Sequence, residues 1–273
     1  MSTTRAARPS AEVVLVTGAA SGIGRALAHS FSAQGCRLAL VDRDQDGLAR
    51  VAAELALRGA EASAHLCDVT DLEACRAAVA EGIARHGGID VLINNAGITH
   101  RSLFADTDPS VIRRVMEVNF FGAVNFTHAA LETVVARRGM IVAISSVAGF
   151  APLVARTGYA ASKHALHGFF GSLRAELRHR GTGVLLVCPS YAATSIDASA
   201  LGGDGQRVGG RKATIGRLLS AEEMADAIVR AVNRRAERLL LSPVTKSSYW
   251  LWTLVPRVYE HLMRASHEGE LEG

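Results

Sequence analysis

In the stretch Thr157-Gly-Tyr-Ala-Ala-Ser-Lys163, Tyr159 and Lys163 stand four positions apart, a spacing that on a helix projects both side chains from one face into one site. A phenol beside an ammonium is acid/base machinery. Free tyrosine titrates near pH ~10, and a cation held close to it favours the phenolate, bringing its proton-transfer ability toward neutral pH. The pair predicts proton transfer to or from an oxygen. Alone, the spacing also describes a tyrosine packed under a lysine stem on a solvated helix, so its chemistry depends on its company.

Ser146 lies thirteen residues before Tyr159 and directly follows Gly139-Met-Ile-Val-Ala-Ile-Ser145, an apolar run that reads as a buried parallel strand. A hydroxyl at such a strand's carboxyl end faces the crevice where open α/β sheets bind ligands. Near the N-terminus, Glu12-Val-Val-Leu-Val-Thr17 is a second such strand, followed by Gly18-Ala-Ala-Ser-Gly22-Ile-Gly24 and the helical pattern Arg25-Ala-Leu-Ala-His-Ser-Phe31. Strand, glycine turn and helix make a phosphate cradle: glycine permits positive φ and close approach to the backbone, and the helix start offers unpaired N–H groups and a positive dipole end. The spacing Gly-x-x-x-Gly-x-Gly differs from the commoner Gly-x-Gly-x-x-Gly. A tight turn with no ligand is the alternative.

Seven strand-like runs recur: the one ending at Thr17, then Arg37 to Asp42, Glu61 to Val69, Asp90 to Asn94, Gly139 to Ser145, Gly183 to Pro189 and Arg238 to Ser242. Helix-length amphipathic segments separate them, so the chain predicts an α/β fold, a doubly wound parallel sheet with helices on both faces. At 273 residues, 49% hydrophobic, it is long enough for one well-buried core, and no linker or internal repeat divides it. The expected organisation is a flexible arm over residues 1–10, a domain over 11–242 and an aromatic C-terminal extension over 243–273 packed on or beside it.

The net charge of +4 is spread along helices and lacks the clustered basic face of a nucleic-acid binder. Cys36, Cys67, Cys75 and Cys188 show no Cys-x-x-Cys spacing and read as small buried thiols, indicating neither disulfides nor zinc. The first nine residues lack the apolar core of a signal peptide, and no segment is long and apolar enough to span a bilayer, so a cytoplasmic location is expected.

From about Val13 to Thr194 the order of motifs resembles the classical short-chain dehydrogenases/reductases, whose fold is of Rossmann type. Thr17 to Gly24 matches that family's cofactor turn, Asn94-Asn-Ala-Gly97 its structural motif after the fourth strand, and Asn119, Ser146, Tyr159 and Lys163 its four catalytic positions. Pro189-Ser-Tyr-Ala-Ala-Thr194 aligns with the family's Pro-Gly-x-x-x-Thr, Ser190 replacing the glycine. The resemblance implies a nicotinamide dinucleotide held by Gly18, Ser21, Gly22, Ile23, Gly24, Asp42, Arg43, Asp68, Val69, Asn95, Ala96, Gly97, Tyr159, Lys163, Pro189 and Thr194. It implies Ser146 as donor to the substrate oxygen and Tyr159 as its proton partner. Lys163 would tune the phenol and hold the nicotinamide ribose, and Asn119 would carry a water of the proton path; a structural amide interrupting a helix is the other reading of Asn119. A homodimer or homotetramer is implied by the same analogy.

A carboxylate ending the second strand, Asp42, can accept from both adenosine ribose hydroxyls and repels a 2′-phosphate, which favours NAD. Arg43 and Arg25 are cations able to reach such a phosphate, which keeps NADP open. Residues 195–219, with six glycines and four cations, read as a mobile lid. The stretch Tyr249 to Met263 holds both tryptophans; it could wall a pocket for a bulky apolar substrate, dock a subunit, rest on a membrane surface or simply pack on its own domain. Relatives with similar tails act on retinoid-, steroid- or lipid-like substrates. The sequence thus predicts an NAD(P)-dependent oxidoreductase interconverting a secondary alcohol and a ketone; an NADPH-dependent ketoreductase of 3-oxoacyl type and a catalytically silent dinucleotide-binding module are the alternatives.

Overall fold

The computed structural model describes residues 12–189, 199–208 and 218–266. Seven parallel strands form one sheet: β1 (Val13–Thr17), β2 (Arg37–Asp42), β3 (Ala62–Leu66), β4 (Val91–Asn94), β5 (Met140–Ile144), β6 (Gly183–Cys188) and β7 (Arg238–Leu240), in the order β3-β2-β1-β4-β5-β6-β7. The order reverses between β1 and β4, opening the crevice where such sheets bind ligands.

The central strands β1, β4, β5 and β6 are largely apolar because both faces are covered, whereas the edge strands β3 and β7 are partly exposed. In β1, Val14 and Val16 pack against α1 (Gly22–Ser32), α2 (Gln45–Ala56) and α7 (Ala221–Asn233), while Val13 and Leu15 pack against α3 (Leu72–His86), α5 (Gly122–Ala136) and α6 (Thr157–Leu177). β5 alternates likewise, Val142 and Ile144 to the first layer and Ile141 and Ala143 to the second. The expected doubly wound single domain is what forms.

Strand ends are trimmed where side chains capture the backbone. The third strand, expected to reach Val69, stops at Leu66, because Asp68 Oδ1 accepts from the backbone N–H and hydroxyl of Thr70 at 3.0 and 2.8 Å and turns the chain. Asp71 then caps α3 by accepting from Glu73 and Ala74 N–H. Between α4 (Pro109–Met116) and α5 one π-helical turn, Glu117–Phe121, carries Asn119. After β7 come α8 (Pro243–Leu254), started by the Ser242 cap, and α9 (Pro256–Ser266). No described helix is long and apolar enough to cross a membrane. The expected N-terminal arm, Ser190 and Thr194 lie outside the described residues.

Candidate active site

A continuous cleft of about 810 Å³ runs along the carboxyl edge of the sheet, lined from the loops after six of the strands and from α8 and α9. It gathers Gly18, Ser21, Gly22, Ile23, Asp42, Arg43, Asp68, Val69, Asn95, Ala96, Gly97, Ser146, Tyr159, Lys163 and Pro189. Gly24 and Asn119 stand just behind its wall.

The turn after β1 is built for close approach. Gly18 and Gly22 have φ of +67° and +52°. A Cβ on Gly24 would lie 1.9 Å from the Gly18 carbonyl oxygen, so only glycine lets α1 start this near the strand. Asn95 locks the turn to the loop after β4: its Nδ2 donates to Thr17 O at 2.9 Å and Gly18 O at 3.2 Å, while Asn95 and Ala96 N–H donate to Thr17 Oγ1 at 3.0 and 3.1 Å. Ser21 occupies the N-cap of α1 but makes no capping bond, and the first turn holds no acidic side chain. A glycine cradle, uncapped N–H groups and no competing carboxylate fit a dinucleotide pyrophosphate.

At the other end of this half, the Asp42 carboxylate is fixed by Ala20 N–H (2.9 Å) and Asp44 N–H (3.0 Å). Arg43 lies 4.0 Å from Asp68, both half-exposed on the cleft wall, and Arg114 of α4 joins them there. Arg25 does not take part. Its guanidinium pairs with both oxygens of Glu54 on α2, each at 2.9 Å, outside the cleft.

In the other half, β5 delivers Ser146 and α6 delivers Tyr159 and Lys163. Ser146 Oγ accepts from Ala148 N–H at 3.2 Å, which leaves its proton to donate. Lys163 Nζ donates to Ile144 O at 2.8 Å and lies 5.6 Å from the Tyr159 ring centroid, the one-turn relation that the sequence spacing predicts. Burial pushes the Lys163 ammonium down to about 8, so it keeps its charge at neutral pH. Asn119 clasps the loop after β4, accepting from Ile98 N–H at 2.8 Å and donating to Ile98 O at 2.9 Å and Ser162 Oγ at 2.9 Å. These bonds fasten the helix interruption to the loop after β4 and to α6.

Several residues carry no motif and emerge only in three dimensions. His100 is fully buried, and its Nε2 accepts from Gly158 N–H at 2.9 Å, capping the turn of α6 that bears Tyr159. Burial, helped by the nearby Arg156, holds His100 down at about 4, so it stays the neutral acceptor that this bond needs. Arg156 itself is buried and lines the cleft. The far wall comes from the C-terminal extension: Val244, Ser247 and Leu251 on α8, Tyr259, Leu262 and Met263 on α9. Tyr259 Oη donates to Pro152 O at 3.3 Å, tying α9 to the loop between Ser146 and Tyr159. Of the expected lid, residues 199–208 and 218–219 are described; the first stretch is anchored through Leu201, whose N–H donates to Thr99 O at 3.0 Å and whose carbonyl accepts from Arg101 N–H at 2.7 Å.

A parallel Rossmann sheet with this cleft defines a dinucleotide-binding oxidoreductase of the short-chain class. The chain belongs to the short chain dehydrogenase family, whose model matches residues 12–202. It is 39% identical over 264 residues to the dehydrogenase/reductase SDR family protein 7-like of Anopheles gambiae, covering 94% of this chain and 83% of that one. It is 38% identical over 266 residues to dehydrogenase/reductase SDR family member 7B of Xenopus tropicalis, covering 94% and 86%. Among solved structures, a short chain dehydrogenase/reductase from Burkholderia phymatum in complex with NAD superposes with a TM-score of 0.81 at 25% identity, over 91% of this chain and 95% of that one.

Proposed function

We propose that the protein interconverts a secondary alcohol and a ketone with a nicotinamide dinucleotide, preferring NAD and a fairly hydrophobic substrate. The observation that carries this is the convergence in one cleft of Ser146, Tyr159 and a buried, charged Lys163 with the glycine cradle. Gly18, Ser21 and Gly22 would hold the pyrophosphate, Asp42 the adenosine ribose, and Lys163 the nicotinamide ribose. When bound, the dinucleotide supplies the hydride acceptor or donor.

The remaining chemistry is the chain's own. Ser146 donates to the substrate oxygen and Tyr159 Oη takes or returns that oxygen's proton. Lys163 stabilises the phenolate electrostatically. Asn119, already bonded to Ile98 and Ser162, holds the helix turn beside them, and a water on it would extend the proton path. Residues 195–219 act as the lid and 243–273 as the outer wall, whose apolar side chains select a bulky substrate.

NAD preference rests on Asp42, whose charge disfavours a 2′-phosphate, and on the engagement of Arg25 by Glu54. The presence of Arg43 and Arg114 on the same wall favours a second reading in which NADP is also accepted, as in a ketoreductase. A cytoplasmic homo-oligomer completes the proposal. A panel of secondary alcohols and ketones with both cofactors tests it. The wild type should turn over at least one pair, and Tyr159→Phe should lose at least ~10³-fold in kcat while binding cofactor within about threefold. Retained turnover in Tyr159→Phe overturns the mechanism.

A further inference from the structure

Two of the four cysteines form a pair that their spacing gives no reason to expect. Cys67 leaves the end of β3 and Cys75 lies one turn into α3, yet their sulfurs are 3.9 Å apart. Both are buried free thiols. They differ in where they face: Cys67 lines the cleft beside Asp68 and Val69, whereas Cys75 is sealed beneath it. Cys36 and Cys188 do not line the cleft.

The pair is built into the loop that walls the adenosine end of the cleft. Cys75 Sγ donates to Val69 O at 3.4 Å, and Asn125 Nδ2 donates to the same oxygen at 3.0 Å. Cys67 Sγ contacts Asp68 O at 3.4 Å. Val69 is pressed against Gly122, where a Cβ would come within 2.6 Å of Val69 Cγ2. The first turn of α3 is fixed by the Asp71 cap. With Val69 and the start of α3 both held, movement that joins the sulfurs falls on Cys67 and Asp68.

We propose that Cys67 and Cys75 are a modification site, a dithiol that a hydroperoxide converts to a disulfide, and that the disulfide weakens cofactor binding in the adjoining cleft. This rests on the dinucleotide reading of the cleft. The Cys67 sulfur attacks the peroxide O–O bond, forming a sulfenic acid and releasing water; Cys75 sulfur then attacks the Cys67 sulfur, forming the S–S bond and releasing a second water. Two thiols lose two protons and two electrons, and hydrogen peroxide is reduced to two waters. Only Cys67 of the two lines the cleft, so its sulfur is the one that a peroxide entering there meets first. The sulfurs must close from 3.9 Å to about 2.05 Å. That closure removes the Cys75 thiol donor from Val69 O and draws Cys67 toward α3, pulling the adjoining Asp68 from its place on the cleft wall.

Because coupling between two sites is reciprocal, a disulfide that weakens the cofactor must itself be disfavoured by bound cofactor to the same degree. Bound adenosine would also cover Cys67, the one thiol of the pair that the cleft reaches.

The test uses the full chain, reduced and then treated with hydrogen peroxide, with disulfides located by non-reducing peptide mapping and affinity read from NADH fluorescence. We expect a Cys67–Cys75 linkage, at least a tenfold rise in the NADH Kd, recovery on treatment with a dithiol, and slower linkage when NADH is present during oxidation. Cys75→Ala and Cys75→Ser, changed at the thiol that lies outside the cleft, should each bind NADH like the reduced wild type before and after peroxide; the two variants guard against one of them failing to fold. Absence of the linkage, or a linked protein with unchanged affinity, overturns the proposal. A reduced wild type that binds neither NADH nor NADPH instead overturns the dinucleotide reading, and the regulation with it.

Discussion

Asn95 reaches across the carboxyl edge of the sheet to Thr17, its backbone N–H on Thr17 Oγ1 at 3.0 Å and its side-chain amide on Thr17 O at 2.9 Å, so that the turn after β1 and the loop after β4 move as one body. The cradle's shape therefore depends on a residue far from it in sequence.

Asn95→Ala leaves the Thr17 and Gly18 carbonyls without this donor, and an expected loss of about 1–3 kcal/mol in urea unfolding follows from leaving such groups unpaired. Cofactor affinity should fall with it. Gly24→Ala is expected to be worse for binding, since its Cβ meets the Gly18 carbonyl at 1.9 Å and must push α1 off the turn. NADH titration of both variants checks the order.

Lys163 predicts an exchange of stability for function. Its value falls from 10.5 to about 8 through burial, so between those limits the unfolded chain binds more protons and wild-type stability rises with pH. Below about 8 the full cost of the buried charge applies, about 3 kcal/mol at ~1.4 kcal/mol per unit. Lys163→Met removes that cost together with the bond to Ile144 O. Relative to wild type, the variant should be most favoured below pH 8 and lose its advantage toward pH 10.5, while turnover drops at least ~10²-fold. Urea unfolding at pH 7 and pH 10 measures the difference.

Acid should unfold the protein early. His100 and His167 are both held down at about 4, first by burial, from an ordinary 6.5. The unfolded chain therefore takes up more protons between 6.5 and 4, and stability is lost as pH falls through that window. Each contributes up to about 3 kcal/mol, so a steep fall in Tm is expected there. His100→Gln, which keeps an acceptor for Gly158 N–H, should flatten the fall; a Tm profile as steep as the wild type's would count against the assignment.

Asp42→Asn keeps an oxygen for Ala20 N–H or Asp44 N–H but removes the charge. With Arg43 and Arg114 on the same wall, the ratio of kcat/KM for NADP over NAD should rise at least tenfold. Steady-state kinetics with the two cofactors decides it.

The sheet and the gathered site were legible because their signals are local. Apolar runs mark strands covered on both faces, glycines mark the turn, and the four-residue spacing of Tyr159 and Lys163 needs only a helix to align them. What escaped depends on partners distant in sequence. His100 caps a helix 58 residues further along, Asn95 braces a turn 77 residues away, and Cys67 meets Cys75 only because a tight turn folds α3 back on β3. Asn119 shows a middle case: its motif located it, but its bonds to Ile98 and Ser162 needed the π-helical turn that no local pattern announces. Arg25 shows the converse, a plausible phosphate cation taken by Glu54 once α1 and α2 lie side by side.

The far wall of the cleft is made by α8 and α9, which follow the last strand and add none of their own. They also brace the loop between Ser146 and Tyr159, through Tyr259 on Pro152 O and the Tyr249 ring against Phe150. A chain cut at Ser242 would therefore keep all seven strands yet lose both the cleft's outer boundary and a buttress of the loop that leads into α6.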